Sequence, residues 1–214
     1  MIRCPKCSQA QAAQLCCVKC GSPLGADLDA FAALGLERNL VIDLARLERS
    51  YHERGRQVHP DRFASDSPSV RAASLKSTAN LTRSYRELRD PVNRGLYWLE
   101  LHGRKLSDGN QSVPPDLAAT VFEIQGQLAE LREAGVAAHV ADLRNGVERQ
   151  RLEVQAALEQ AFAELNANFA LWDRATEGGE KGLFEALKSV LARIAYLRTL
   201  LRDIGRALEI AQAA

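Results

Sequence analysis

Five cysteines lie within the first 20 residues of this 214-residue chain, and their spacing favours metal binding. Four of them form two Cys-x2-Cys pairs, Cys4 with Cys7 and Cys17 with Cys20, separated by nine residues. Thiolates presented in pairs by two tight turns complete a tetrahedral site, for which zinc is the preferred ion. The pattern therefore predicts a structural zinc site made by these four residues, with Cys16 as a competitor of Cys17 for ligation.

Two other interpretations of the cysteines stay open. Either pair has the spacing of a redox-active dithiol, and the thiols could also carry no ligand at all. The redox interpretation is weaker because neither pair begins a helix that follows a strand. A closed site with four cysteines leaves no open position for catalysis, so the ion would hold together a segment too short to bury its own core.

The tripeptide His59-Pro60-Asp61 is the second group whose residue types could do chemistry. Proline disfavours helical backbone in the residue before it, so the tripeptide predicts a break between two amphipathic helices, about 39–57 and 68–89. An exposed turn that carries an imidazole and a carboxylate is typical of a surface that a partner protein recognises. The predicted core face of the first helix comprises Leu44, Leu47, Tyr51 and Val58.

The helix before the tripeptide has a predicted basic outer face, and the helix after it has a clear start. Ser67 suits the N-cap of the second helix, and Pro68 suits its first position. On the first helix, four arginines predict a docking surface for an acidic partner: Arg46, Arg49, Arg54 and Arg56. The alternatives are an ordinary solvated face and an ordinary turn with a local ion pair between Asp61 and Arg62.

The composition favours a helical protein without a membrane span. Leu, Ala, Glu and Arg dominate, no stretch alternates as a strand would, and no apolar run is long enough to cross a bilayer. The net charge of +1 argues against a general nucleic-acid binder. The first residues lack the apolar core of a signal peptide, so we expect a location in the bacterial cytoplasm.

The chain divides into four predicted segments: a cysteine-rich knuckle at 1–24, a helical block at 25–102, a polar linker at 103–115 and three apolar stripes at 116–214. The stripes repeat every three or four residues and break at Gly135 and at Gly178-Gly179, which predicts an antiparallel three-helix coiled coil. The predicted fold class is therefore all-α, with a helical hairpin around the tripeptide and a small zinc-ribbon-like knuckle before it.

A helix, a His-Pro-Asp turn and a longer helix together resemble a J-domain. The strings HPDRFASDSP and ANLTRSYRELRDPVNRGLYWLELHG resemble the HscB family, the J-type co-chaperones of iron–sulfur cluster assembly. The segment LARIAYLRTLLRDIGRAL is similar to the last helix of that family's three-helix C-terminal domain. The two cysteine pairs are similar to an N-terminal extension of some members, notably eukaryotic ones.

The resemblance implies a role for the turn and for the basic helix. In J-domains the tripeptide engages an ATP-bound chaperone of the DnaK/HscA type and stimulates its ATP hydrolysis, which implies this role for His59, Pro60 and Asp61. The arginines of the preceding helix would dock on an acidic surface of that chaperone. The protein would then regulate the ATPase of another protein and would not itself be an enzyme.

The resemblance also implies that the C-terminal domain binds an IscU-type iron–sulfur scaffold. The family's contact positions correspond to Ala118, Ala119, Phe122, Glu123, Gly126 and Glu130 on the first helix and to Tyr196 on the last. Ala118 and Ala119 stand where members usually carry Leu and Met, and Gly126 stands where they carry an acidic residue. Because large apolar anchors often dominate interface energy, either the scaffold compensates, or binding is weaker, or the client differs.

Other functions stay open. One is a J-type co-chaperone for a different client, and another is a dithiol oxidoreductase. A third is a zinc-ribbon nucleic-acid-binding module with a helical dimerisation tail, which the low net charge and the few aromatic residues in 1–24 disfavour. The exposed faces of the coiled coil also leave a homodimer open.

Overall fold

The structure, a computed structural model, describes residues 1–106, 118–133, 140–175 and 180–213. These form two compact units, Met1–Leu101 and His102–Ala214. Residues 107–115 of the predicted linker, and the predicted helix breaks at Gly135 and Gly178-Gly179, lie outside the described residues. No helix in the described ranges is long and apolar enough to span a membrane.

The first unit contains a small cysteine-rich extension (residues 1–24) followed by four helices. An antiparallel pair of two-residue strands, β1 (Ile2–Arg3) and β2 (Ala10–Gln11), lies in the extension. Two residues are too few to show an alternating apolar pattern, so these strands could not be predicted from the sequence. The helices are α1 (Ala30–Leu34), α2 (Leu44–Val58), α3 (Pro68–Arg89) and α4 (Pro91–Leu101).

Helices α2 and α3 form a hairpin whose core the apolar pattern predicted, except at the start of α2. Leu47 and Val58 are fully buried, as expected, but Leu44 is 52% exposed. Asp43 caps α2 by accepting hydrogen bonds from the backbone N–H groups of Ala45 and Arg46, so the helix begins at Leu44 and not near residue 39. Leu40, which precedes the helix, is fully buried in the core instead.

Side chains of α3 satisfy the last carbonyl group of α2. Ser74 Oγ donates to the Val58 carbonyl at 2.6 Å, and Thr78 Oγ1 donates to the same oxygen at 3.3 Å. The carbonyl groups in the last turn of a helix have no partner within the helix, so these bonds fix the point where the chain leaves α2. Ser67 occupies the N-cap position of α3 as predicted, but its side chain makes no capping hydrogen bond.

The short helix α1 depends on contacts from α2 at its C-terminal end. Gly35 ends α1 with a left-handed φ of 63°. The Ser50 hydroxyl donates to the Leu34 carbonyl, and the Arg54 guanidinium donates to the Ala33 carbonyl at 3.4 Å. The Arg54 guanidinium occupies the space that a side chain on residue 35 would fill.

Replacing Gly35 by alanine is therefore expected to lower the free energy of unfolding by about 2 kcal/mol. About half of this comes from the left-handed φ, and the rest from displacing Arg54 from its carbonyl partner. Gly103 is the control, because its φ is also left-handed at 66° but no atom lies within 4 Å of a Cβ built there. In urea unfolding, Gly103→Ala should lower the free energy of unfolding by about 1 kcal/mol. An equal loss for both variants would contradict the role of Arg54.

The second unit consists of three helices, α5 (Ala118–Glu133), α6 (Val140–Trp172) and α7 (Glu180–Ala213), which pack against one another. The ring centroids of Trp172, at the end of α6, and Phe184, near the start of α7, are 4.7 Å apart. The start of α6 and the end of α7 line a common cleft, so these two helices run antiparallel.

The core of this unit follows the predicted stripes on α5 and α6 and is wider than predicted on α7. Ile124 and Leu165 are fully buried, as the three-to-four-residue repeat indicated. On α7, Leu191 and Leu200 are also buried, although they lie outside the predicted stripe. The extra burial follows from contacts of α7 with both α5 and α6, because two partners require a broader apolar face than one. The predicted all-helical class is confirmed.

Candidate functional site

The four cysteines of the two Cys-x2-Cys pairs lie together in the extension. Their Sγ atoms are all within 4.8 Å of one another, with Cys4 and Cys20 at 3.5 Å and Cys7 and Cys17 at 3.6 Å. Thiolates on a tetrahedral zinc ion lie about 3.8 Å apart, since each zinc–sulfur bond is about 2.3 Å. The cluster therefore has the size and the donor set that a tetrahedral thiolate-bound ion requires.

Both cysteine pairs adopt the same backbone turn. The backbone N–H of Ser8 donates to the Cys4 carbonyl at 3.0 Å, and that of Gly21 donates to the Cys17 carbonyl at 2.9 Å. Each turn ends on a residue with positive φ, 59° at Ser8 and 69° at Gly21. Glycine often adopts positive φ, so Gly21 indicates such a turn in the sequence. Ser8 does not, because few serines adopt this conformation. The matching turns bring both pairs to a common point.

The crowded thiols titrate unequally. Burial alone would raise the pKa of Cys17, but the backbone N–H groups of Cys20 and Lys19 outweigh it and lower that pKa to about 6. Cys20 accepts from the backbone of Ser22, but burial and the neighbouring Cys4 and Cys7 thiols raise its pKa to about 12. Four adjacent thiolates repel one another, so full ionisation needs a cation among them.

Cys16 lies outside the cluster. It forms an isolated β-bridge with Pro23 and is half-buried, and its sulfur is not among the four that lie within 4.8 Å of one another. Neighbouring residues of an extended strand point to opposite faces, so only one of the two can reach the other three sulfurs. The structure brings Cys17 to that position.

The extension is attached to the helices of the first unit by polar contacts. Lys6 pairs with Asp66 at 2.8 Å, in the segment between the His-Pro-Asp turn and α3. Further along, the backbone N–H of Gly25 donates to Ser77 Oγ at 3.2 Å. Asn80 donates to the Leu28 carbonyl at 3.1 Å. The cysteine cluster therefore has a direct connection to the segment that follows the turn.

The His-Pro-Asp turn (His59–Asp61) is exposed and ordered by its own hydrogen bond. Residues Pro60–Phe63 form a 3-10 turn, and His59 Nδ1 accepts from the backbone N–H of Asp61 at 3.3 Å. The side chains of His59 and Asp61 are 56% and 89% exposed. Phe63, which is 8% exposed, anchors the end of the turn in the core. The imidazole and the carboxylate are thus presented on a backbone that is fixed at both ends.

Arg62 does not form the local ion pair with Asp61 that was one interpretation of the tripeptide. Its guanidinium donates to the Arg56 carbonyl at 2.9 Å, in the last turn of α2. Asp61 Oδ2 lies 3.5 Å from His59 Nδ1 instead. The carboxylate therefore stays accessible to a partner.

The four arginines predicted as one face of α2 line two separate cavities. Arg46, Arg49 and Arg54 line a cavity of about 600 Å³ between the extension, the end of α1 and α2. Arg56 and His59 line a groove of about 670 Å³ between α2 and α3. Arg54 is half-buried by its contact with α1, whereas the other three are exposed. The prediction of a basic surface applies best to Arg46, Arg49 and Arg56.

The predicted scaffold-contact residues that the structure describes form an exposed strip along α5. Phe122 is 84% exposed, and Ala118, Glu123, Gly126 and Glu130 are exposed beside it. The side chain of Ala119 lies outside the described residues. Tyr196, on α7, is half-buried, and this burial raises the pKa of its hydroxyl. Ile124 and Leu128 are fully buried on the same helix, so the predicted contact positions lie away from its packed face.

Sequence reasoning missed two residues that hold the turn in place. Phe63 is the one apolar residue of PDRF, and that pattern could have identified it as an anchor. Asp66 gave no signal, because its partner Lys6 is distant in sequence.

The curated proteins to which this chain is similar belong to one family. The chain is 33% identical over 132 residues to the co-chaperone protein HscB homolog of Bordetella petrii, covering 61% of this chain and 78% of that protein. It is 27% identical over 182 residues to the homolog of Azoarcus sp., covering 85% of this chain and 94% of that one. No family model matches the chain.

Two solved structures share the fold. The chaperone HscB from Vibrio cholerae is 19% identical with a TM-score of 0.61, covering 86% of this chain and 99% of that one. Human co-chaperone protein HscB is 24% identical with a TM-score of 0.59, covering 95% and 97%. The Bordetella petrii homolog is 33% identical to this chain, and the match covers 78% of that protein. On this evidence, the chain belongs to the HscB family of co-chaperones.

Proposed function

We propose that this protein is a J-type co-chaperone that acts in the bacterial cytoplasm on a DnaK/HscA-type chaperone and delivers an IscU-type iron–sulfur scaffold to it. The observation that carries the proposal is the exposed His59–Asp61 turn at the end of the basic helix α2, in a chain that belongs to the HscB family. The protein regulates the ATPase of its partner and catalyses no reaction of its own.

The two units divide the labour in this proposal. In the first unit, charges on α2 steer the encounter, while the ordered turn supplies specificity. In the second unit, the α5 strip around Phe122 holds the scaffold. The test is the steady-state ATP turnover of the chaperone with the chain, the scaffold, or both. Stimulation by the chain that the scaffold increases further supports the proposal, and no stimulation in either case contradicts it.

Zinc is the ion that we propose for the cysteine cluster. Four thiolates in a closed tetrahedral set match its preferences, and Cys4, Cys7, Cys17 and Cys20 would hold it. When bound, the ion neutralises the thiolates and supplies folding energy. These residues then hold the extension in its fold and, through Lys6 and Asp66, against the rest of the first unit.

Replacing Phe122 by alanine is expected to weaken binding of the IscU-type scaffold by about 30-fold, since removing an apolar anchor at an interface costs about 2 kcal/mol. Leu152→Ala on α6 is the matched control, because Leu152 is 65% exposed but lies outside the α5 strip. Calorimetric titration gives the dissociation constants. Equal weakening by both variants, or by neither, would contradict the assignment of the strip.

A co-chaperone for a different client remains the second candidate function. The observation that favours it is the strip itself, where the exposed Ala118 and Gly126 offer little apolar or acidic surface beside Phe122. Co-purification from the native organism decides between the two, because a J-type protein with another client brings down the chaperone without the scaffold.

A further inference from the structure

The cavity between the extension and α2 is the strongest unassigned feature of the first unit. Its volume of about 600 Å³ lies within the range of about 300–1,000 Å³ that is usual for ligand sites. Helix α2 contributes Arg46, Arg49 and Arg54, and the extension contributes the strip Gln14–Cys16 as the opposite wall. The site thus exists because the cysteine-rich extension packs beside the helix.

Arg46 and Arg49 bring two exposed guanidinium groups to this cavity, and Arg54, which also lines it, donates to the Ala33 carbonyl. Among the described residues, no carboxylate lies within ion-pair distance of Arg46, Arg49 or Arg54. Glu53 is the one acidic residue in the lining. Like charges that converge on a concave surface repel one another and concentrate the field there, so an anion is the ligand that the cavity favours.

The position of the cavity indicates that the anion belongs to a protein. Arg49 and His59 lie ten residues apart on or next to α2, which corresponds to about 15 Å along a helix. A protein interface of ordinary size spans that distance easily. Arg46 and Arg49 are exposed at the cavity mouth, so a partner that engages the turn also reaches them.

We propose that this cavity receives an acidic side chain or loop of the ATPase chaperone, and that the extension is thereby part of the chaperone-docking surface. The inference rests on the proposed function. Carboxylates suit the cavity because guanidinium groups bind them through paired hydrogen bonds. The extension would contribute Gln14, whose side chain is half-buried in the wall and donates to Gln11 Oε1 at 3.0 Å.

The test places charges on the extension wall, away from α2. Gln14→Glu is expected to weaken binding to the ATP-bound chaperone by about fivefold, and Gln14→Lys to tighten it by a similar factor. Glutamate cannot donate to Gln11 Oε1 as Gln14 does, whereas the lysine ammonium can. Tighter binding by Gln14→Lys is therefore the result that damage to the fold cannot produce. Both effects should shrink at high salt.

Ala12 provides the matched control, because it is exposed on the extension and does not line the cavity. Ala12→Glu and Ala12→Lys are expected to bind within about twofold of the wild-type chain, since screening weakens charges at a distance. Interferometry with the full-length proteins and a non-hydrolysable ATP analogue gives the dissociation constants. Metal content is measured for every variant to show that the extension is intact.

Three results would overturn the proposal. The first is equal binding by the Gln14 variants and the wild-type chain, and the second is weakening by both Gln14 variants. The third is saturable binding of inorganic phosphate at Arg46 and Arg49, seen by NMR, that leaves chaperone affinity unchanged, because this would assign the cavity to a small anion. If the wild-type chain still stimulates ATP turnover in these cases, the proposed function stands. Lack of any stimulation would overturn both.

Discussion

Replacing His59 by glutamine is expected to reduce the ATP turnover of the chaperone from its stimulated rate to its basal rate. His59 caps the 3-10 turn through Nδ1, which accepts from the backbone N–H of Asp61 at 3.3 Å. Glutamine keeps polar atoms in the side chain, but it is flexible and cannot present a flat imidazole from the same place. The side chain is exposed and outside the core, so the helices should stay folded, and the loss should lie in the turn and its interaction with the chaperone.

The matched control for this experiment is His52→Gln. His52 lies on α2, its side chain is 59% exposed, and it pairs only loosely with Glu48 at 3.9 Å. This variant should retain most of the stimulation. Single-turnover ATP hydrolysis, measured at saturating co-chaperone, separates the catalytic step from binding. Stimulation that survives His59→Gln would contradict the assignment of the turn, and an equal loss in both variants would indicate general damage to α2.

Replacing any one of Cys4, Cys7, Cys17 or Cys20 by serine is expected to abolish metal binding and to unfold the extension. Metal binding supplies about 10–16 kcal/mol to small structural zinc sites, far more than a segment of this size gains from its own core. The cluster of buried residues around the site is Cys4, Cys17, Leu24 and Ala26, and two of these four are proposed ligands. The remaining helices of the unit have their own core and should stay folded.

Cys16→Ser is the control that the chain itself provides. Cys16 has the same chemistry and lies next to Cys17, but its sulfur is not part of the cluster. Native mass spectrometry should find one metal ion per chain in the wild type and in Cys16→Ser, and none in the four ligand variants. Hydrogen exchange should show loss of protection limited to residues 1–24. Loss of the ion from Cys16→Ser, or a wild-type chain without any, would contradict the site.

Local chemistry made much of this structure predictable. Pro60 disfavours helical backbone in His59, so α2 must end there whatever its tertiary contacts. The spacing within each Cys-x2-Cys pair requires a tight turn. Repeats such as Val190, Ile194 and Leu197 indicate a buried helix face irrespective of the partner, and all three are buried. These features depend on residues that are close in sequence, so they can be predicted from the sequence alone.

The rest depended on contacts between distant residues. As an arginine on an amphipathic helix, Arg54 is expected to face solvent. Its side chain instead packs against the end of α1, because Gly35 leaves room for the guanidinium. Leu44 fits the apolar stripe of α2, but Leu40 takes the buried place once Asp43 starts the helix. The pairing of Lys6 with Asp66 joins residues 60 positions apart, and nothing in either neighbourhood indicates the other.

The sequence separation of these contacts has a consequence for the order of events during protein synthesis. Hydrogen bonds that define the two cysteine turns join residues no more than five positions apart. By contrast, Gly25 meets Ser77 at a separation of 52 residues, and Ala30 meets Tyr97 at 67. Since the ribosome makes the N-terminus first, the cysteine turns can take up their ion before the helices that receive the extension have emerged. With the proposed ion bound, the extension would be folded before helices α1 to α4 pack against it.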